Sequence, residues 1–151
     1  MHAVWKSMTA TEHEAMRQRA LTVLAHYAGP AMGAEAIGAA ADRAYDDLVR
    51  VLAPVVGDHG VSALADRAVH HVQRRYTWLI QTREPQYTEQ EFSQVIAAVK
   101  RQDPAVATEA AAAVFATFLA LLATLIGKRL TDRLLRDAWP DAFGGAKLEE
   151  T

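Results

Sequence analysis

From Ala110 to Ile126 the chain carries no charge, and the only polar side-chain atoms there are the hydroxyls of Thr117 and Thr124. A stretch of this kind is a membrane span, the central helix of a soluble bundle, or a surface that a second copy covers. Its 17 residues lie near the lower limit for crossing about 30 Å of hydrocarbon. Lys128 and Arg129 would suit a cytoplasmic flank. Two features oppose a span. Much of the stretch is alanine, which gains little on transfer to lipid. The remaining helical segments are amphipathic and need an apolar partner, which a helix apolar all round supplies. The expectation is an all-α, single-domain bundle of five or six helices around a central Ala/Leu-rich helix at about 104–126, with an amphipathic C-terminal helix to about 139.

At 151 residues the chain fits one domain that can bury a core without staples. Its alanine content favours helices, since alanine loses no side-chain entropy there. The formal net charge of -2 creates no global field for nucleic acid or an anionic membrane. There is no cysteine, which excludes disulfides, thiolate catalysis and cysteine-ligated metal or iron–sulfur sites. There is also no asparagine, so N-glycosylation is excluded. The opening "MHAVWKSMTATEHEAM" has no apolar core like that of a signal peptide, and a cytoplasmic location is expected. Arginine well outnumbers lysine, which suggests a GC-rich bacterial coding sequence.

A flexible N-terminus is expected over 1–10, a helical domain over 11–143 and a flexible tail over 144–151. Met16, Ala20, Val23 and Tyr27 recur at the helical period and predict a first helix from Thr11 to Ala28. Gly29, Pro30 and Gly33 break it. Ile37, Ala41, Ala44, Leu48, Val51 and Val55 predict a second helix from Ala34 to Ala53 or Val56. Asp42, Arg43, Asp46, Asp47 and Arg50 take its remaining surface, Pro54 kinks or ends it, and Gly57 suits the left-handed position after it. A third helix is expected from Gly60 to Trp78, with Asp58 as its cap and Val61, Leu64, Ala65, Ala68, Val72 and Tyr76 inward.

After the polar linker "QTREPQY", "YTEQEF" has the form of a capping box between Thr88 and Glu91, with Tyr87 and Phe92 as a hydrophobic staple. That helix should end near Arg101. Asp103 should cap the next, with Pro104 in its first turn. From Pro104 to Trp139 an unbroken helix would be roughly 54 Å long, against about 35–40 Å for a domain of this size. Either Gly127 bends it, returning Leu130, Leu134 and Leu135 to the core, or its end projects and needs a partner. The bend is the favoured expectation, together with a homodimer.

Few groups stand out as chemical. Asp66 and His70, four apart on one helix face, could hold a metal or tune a general base, but the sequence supplies no third ligand. Neither the Glu-x-x-His pairs of di-iron bundles nor a His-Glu-x-x-His motif is present. His26 with Tyr27, and His59, stand alone. None of Ser7, Ser62 and Ser93 lies in a Gly-x-Ser-x-Gly elbow. No phosphate loop or dinucleotide fingerprint occurs. No cofactor is therefore expected.

Arg129, Arg133 and Arg136 form one basic group, and Arg67, Arg74, Arg75 and Arg83 a second, as partner or anion surfaces. Nucleic-acid binding would require both on one surface. Trp78, Trp139, Tyr76, Phe115 and Phe118 read as core or interface anchors. The function expected is a non-catalytic interaction or regulatory module acting by self-association and by binding a protein partner. The alternative is a helical pocket protein for an apolar small molecule, with chemistry at Asp66 and His70.

Overall fold

A computed structural model describes residues 10–29, 33–79, 88–140 and 142, and of Ala10, residues 88–91 and Ser93 the backbone alone. The termini expected to be loose and the polar linker thus lie outside the described residues, apart from Ala10. So do the side chains of the Thr88–Glu91 capping box, and Tyr87 of its staple.

The fold is all-α, as expected, with no strand among the described residues. Its helices are α1 (Ala10–Ala28), α2 (Ala34–Val72), α3 (Thr88–Lys100), α4 (Pro104–Ile126) and α5 (Lys128–Ala138), with a short 3-10 turn at Thr77–Leu79. By length and composition α2 and α4 could each cross a membrane. In this fold α4 is the central helix. It packs against α1, α2, α3 and α5, most extensively against α2. Ala107, Ala111, Val114, Phe115, Phe118, Leu119 and Leu122 are all buried. These residues share one face, and Ala110, Ala112, Thr117, Ala120, Leu121 and Ala123, also buried, occupy the others, so no polar stripe is left along this part of the helix. Each of the larger side chains contributes about 1.5–3 kcal/mol on burial. Alanine lets the neighbouring helices approach closely.

The amphipathic helices supply the sheath. Met16, Ala20, Val23 and Leu24 of α1 are buried, as are Phe92, Val95, Ile96 and Val99 of α3. Ion pairs anchor α1 at two places. Arg17 meets Glu109 near the start of α4 at 2.9 Å. Glu12 meets Lys128 at 2.9 Å, and Arg19 meets Asp132 at 2.6 Å, both on α5. All three pairs are partly exposed, so they orient α1 more than they stabilise it.

Two glycines shape the bundle. Pro54 does not end α2; the break comes at Gly57, with φ 84° and ψ 157°, so α2 is two helical rods joined at a kink. Gly127, with φ 94° and ψ 154°, separates α4 from α5. This backbone region is almost closed to residues with a Cβ. The bend returns α5 to the core, where Thr131, Leu134, Leu135 and Ala138 are buried.

Several expected positions differ. Leu130 is 37% exposed and Val55 45%. Thr131 takes the buried place expected of Leu130, and its hydroxyl donates to the Gly127 carbonyl at 2.7 Å. Leu52, rather than Val51, continues the α2 seam. The third segment ends as α-helix at Val72, not Trp78. Asp103 stands at the cap of α4, but its side chain makes no capping bond. Trp139 is a core anchor, as expected: it is 1% exposed, and its indole N–H donates to the Ala44 carbonyl at 3.1 Å.

Gly127→Ala should destabilise the protein by about 1–3 kcal/mol, although a Cβ there would meet no atom within 4 Å. Urea unfolding checks this; an unchanged midpoint would mean that the bend places no demand on the backbone.

Candidate functional site

The polar face of α2 is the most organised charged surface. Asp42, Arg43, Asp46, Asp47 and Arg50 recur at one- and three-residue steps, so they share one side of the helix. Two grooves border this ridge. The first, of about 370 Å³, is lined by His26 and Tyr27 at the end of α1, by Arg43, Asp47 and Arg50, and by Trp139, Pro140 and Ala142 after α5. The second, of about 570 Å³, is lined by Asp42, Tyr45, Asp46, Val49, Arg50, Asp58, Val61, Ser62 and Phe92, from both rods of α2 and from α3.

In the first groove Asp47 is the hub. The Tyr27 hydroxyl donates to one carboxylate oxygen, and Arg50 donates to the other at 3.1 Å. The Arg43 guanidinium lies over the Tyr27 ring, 5.5 Å from its centre. The His26 ring meets Tyr27 edge-on at 5.4 Å. Burial, and then the hydrogen bond to Asp47, push the Tyr27 hydroxyl up to about 12. The Tyr27 bond, reinforced by Arg50 and Arg43 against the opposing effect of burial, holds Asp47 below the usual carboxylate range. General acids and bases work best with pKa values near the operating pH. Both groups here are moved away from it, so the cluster is a charge-assisted lock between α1 and α2 rather than a proton-transfer pair.

The second groove is the reverse case. Asp42, Asp46 and Asp58 form no ion pair among the described residues, while Arg50, the lining cation, is held by Asp47. Burial first, and then Asp42 and Asp47, raise the Asp46 carboxyl above its ordinary value. Beside these carboxylates lie Val49, Val61 and the stacked rings of Tyr45 and Phe92, 4.0 Å between centres. The groove joins uncompensated negative charge to apolar surface.

The residues singled out from sequence lie elsewhere. His70 Nδ1 is 2.9 Å from the backbone carbonyl of Asp66 and 3.6 Å from its carboxylate. Its ring is thus turned to its own helix; among the described residues no further acid or imidazole joins the pair, and no three His, Asp or Glu side chains converge as metal ligands. Burial, followed by Arg74 and Arg67, lowers the neighbouring His71.

Arg129, Arg133 and Arg136 are exposed on α5 and form no ion pair among the described residues. Arg74 and Arg75 are exposed at the end of α2, with Arg75 over the Tyr76 ring at 5.5 Å. Tyr76 acts electrostatically on Arg17, which pairs with Glu109. Arg74 and Arg75 of the second basic group therefore sit by the start of α4 and the first group beyond its end, about 30 Å of helix apart; Arg83 lies outside the described residues.

No family model matches the chain, and no curated protein or solved structure matches it. The site's chemistry is read from its own residues. Sequence reasoning missed both grooves. Tyr27 and Asp47 meet only through the packing of α1 on α2. The one local signal was the like-charged pair Asp42 and Asp46, four apart, which weakens a helix and calls for a compensating reason.

Two outcomes follow. Tyr27→Phe should cost about 1 kcal/mol at pH 7. Tyr27 is raised, so its share of the bond is full below its ordinary value of 10 and fades as pH climbs to about 12. Asp47 is lowered, so its share is present above 3.8 and fades in acid. Urea unfolding at neutral, strongly acidic and strongly alkaline pH should show the deficit at neutral pH alone.

Asp46→Asn should raise the melting temperature at pH 7 by about 1–2 °C. A raised carboxyl destabilises the fold once ionised, so the gain should vanish as pH falls below 3.8. A variant that melts lower than the parent at pH 7 would show that a cation already balances Asp46.

Proposed function

We propose that this protein is a non-catalytic cytoplasmic binding module that acts through self-association and through partner contacts. The observation that carries this reading is the groove beside Asp42, Asp46 and Asp58, where three carboxylates face solvent beside apolar side chains and form no ion pair among the described residues. Like charges held together this way destabilise a monomer and attract a cationic partner. The opposite pattern is present on α5, whose exposed arginines also form no ion pair among the described residues. The best-organised polar cluster, around Asp47, supports the non-catalytic part, because its groups are tuned away from proton transfer.

A second reading keeps the same groove for a small ligand. Its volume of about 570 Å³ lies within the roughly 300–1,000 Å³ of small-molecule sites. The lining calls for an apolar body with a cationic head rather than for a wholly apolar molecule.

Sedimentation velocity across a concentration series tests the first reading. Mass should rise from monomer to dimer with concentration, and the transition should move to higher concentration as salt is raised from roughly 50 to 500 mM. A strictly monomeric protein throughout, whose melting temperature rises with a hydrophobic amine, would favour the second.

A further inference from the structure

The groove and the bend at Gly127 carry matching chemistry on different parts of one chain. The largest exposed apolar side chains among the described residues are Val55, Leu125 and Leu130, and Leu125 is 62% exposed. Leu125 and Leu130 flank Gly127, at the end of α4 and the start of α5. Arg129 and Arg133 stand beside them, exposed on α5. Lys128 is already taken by Glu12 and Asp132 by Arg19, so the free charge of this corner is positive. The groove presents Asp42, Asp46 and Asp58 with Val49, Val61 and Phe92. One surface offers cations among leucines; the other offers carboxylates among apolar side chains.

We infer that the occupant of the acid-lined groove is the Leu125–Arg133 corner of a second copy, in a reciprocal dimer. This deepens the self-association reading and rests on it. In a two-fold dimer each copy gives its corner and receives its partner's, so the same contact is made twice and the assembly closes. The charges set register and encounter rate. The leucines meet the half-buried Tyr45 and Val49, the lining apolar side chains that still reach solvent, and add apolar contact to the charge pairing. Two features that are unfavourable in the monomer, the repelling carboxylates and the exposed leucines, are resolved by one contact.

Charge exchange tests this directly. One variant carries Arg129→Glu and Arg133→Glu, and the other Asp42→Lys and Asp46→Lys. All four positions are exposed, and a thermal melt of each variant confirms that it folds. Alone, each variant should dimerise at least about tenfold more weakly than the parent. Mixed in equal amounts they should recover dimer, because the heterodimer has one parental contact and one with both charges reversed. Leu125→Ser, a neutral change, should weaken the parent dimer as well.

Each result has one meaning. If the parent dimerises and the variants match it, or the mixture stays monomeric while the parent does not, the inference falls and the self-association reading stands. If the parent is monomeric at every concentration, both fall.

Discussion

The removal of α4 from water is the constraint on which the rest of the structure depends. From Ala110 to Ala123 this helix is apolar on all sides and mostly buried, with solvent reached mainly towards its ends, so every other element is placed by the need to cover that middle. The amphipathic faces of α1, α2, α3 and α5 do this. Their polar faces are left pointing outward, and the ion pairs between α1 and the helices α4 and α5 decorate that sheath rather than hold it. Alanine is central to the arrangement. Its small side chain gives a strong helix preference and lets a helix of 23 residues be surrounded by neighbours without large gaps. The bend at Gly127 follows from the same demand: a straight continuation would carry Leu134 and Leu135 beyond anything that could bury them.

Covering the core in this way also decides where chemistry is possible. The polar face of α2 is left between α1 and the turn after α5 on one side, and α3 on the other. On the first side Asp47 finds Tyr27 and Arg50, and the charge is spent on fixing two helices. On the second side Asp42, Asp46 and Asp58 find no such partner among the described residues. One ridge thus carries both a satisfied and an unsatisfied half, and the distinction comes from the neighbours, not from the acidic residues themselves.

Much of the fold was legible because helical periodicity is a local property. Met16, Ala20 and Val23, or Phe92, Val95, Ile96 and Val99, identify their buried faces without knowledge of what covers them. Errors arose where residue type was weighed above angular position. Thr131, Leu134, Leu135 and Ala138 are separated by three- and four-residue steps, and that line is the buried face. Leu130 is more hydrophobic than Thr131 but lies a hundred degrees or so around the helix. Thr131 can be buried because its hydroxyl finds the Gly127 carbonyl. Pro54 was weighted as a breaker, yet the helix runs through it and the backbone change falls at Gly57, the left-handed position expected there, where the missing Cβ makes it cheap. The site was barely legible. The Tyr27–Asp47 bond and the second groove join residues from separate helices, and periodicity gives each helix a face without saying which faces meet.

Hydrogen exchange measured residue by residue, in aqueous buffer with neither detergent nor lipid, tests the central claim most directly. The account predicts that the amides of α4 from Ala111 to Leu122 are the slowest in the chain, opening only with global unfolding. Rapid exchange across α4 in buffer, with protection gained only on adding vesicles, would contradict it: the rod would then be shielded by lipid and not by its own neighbours.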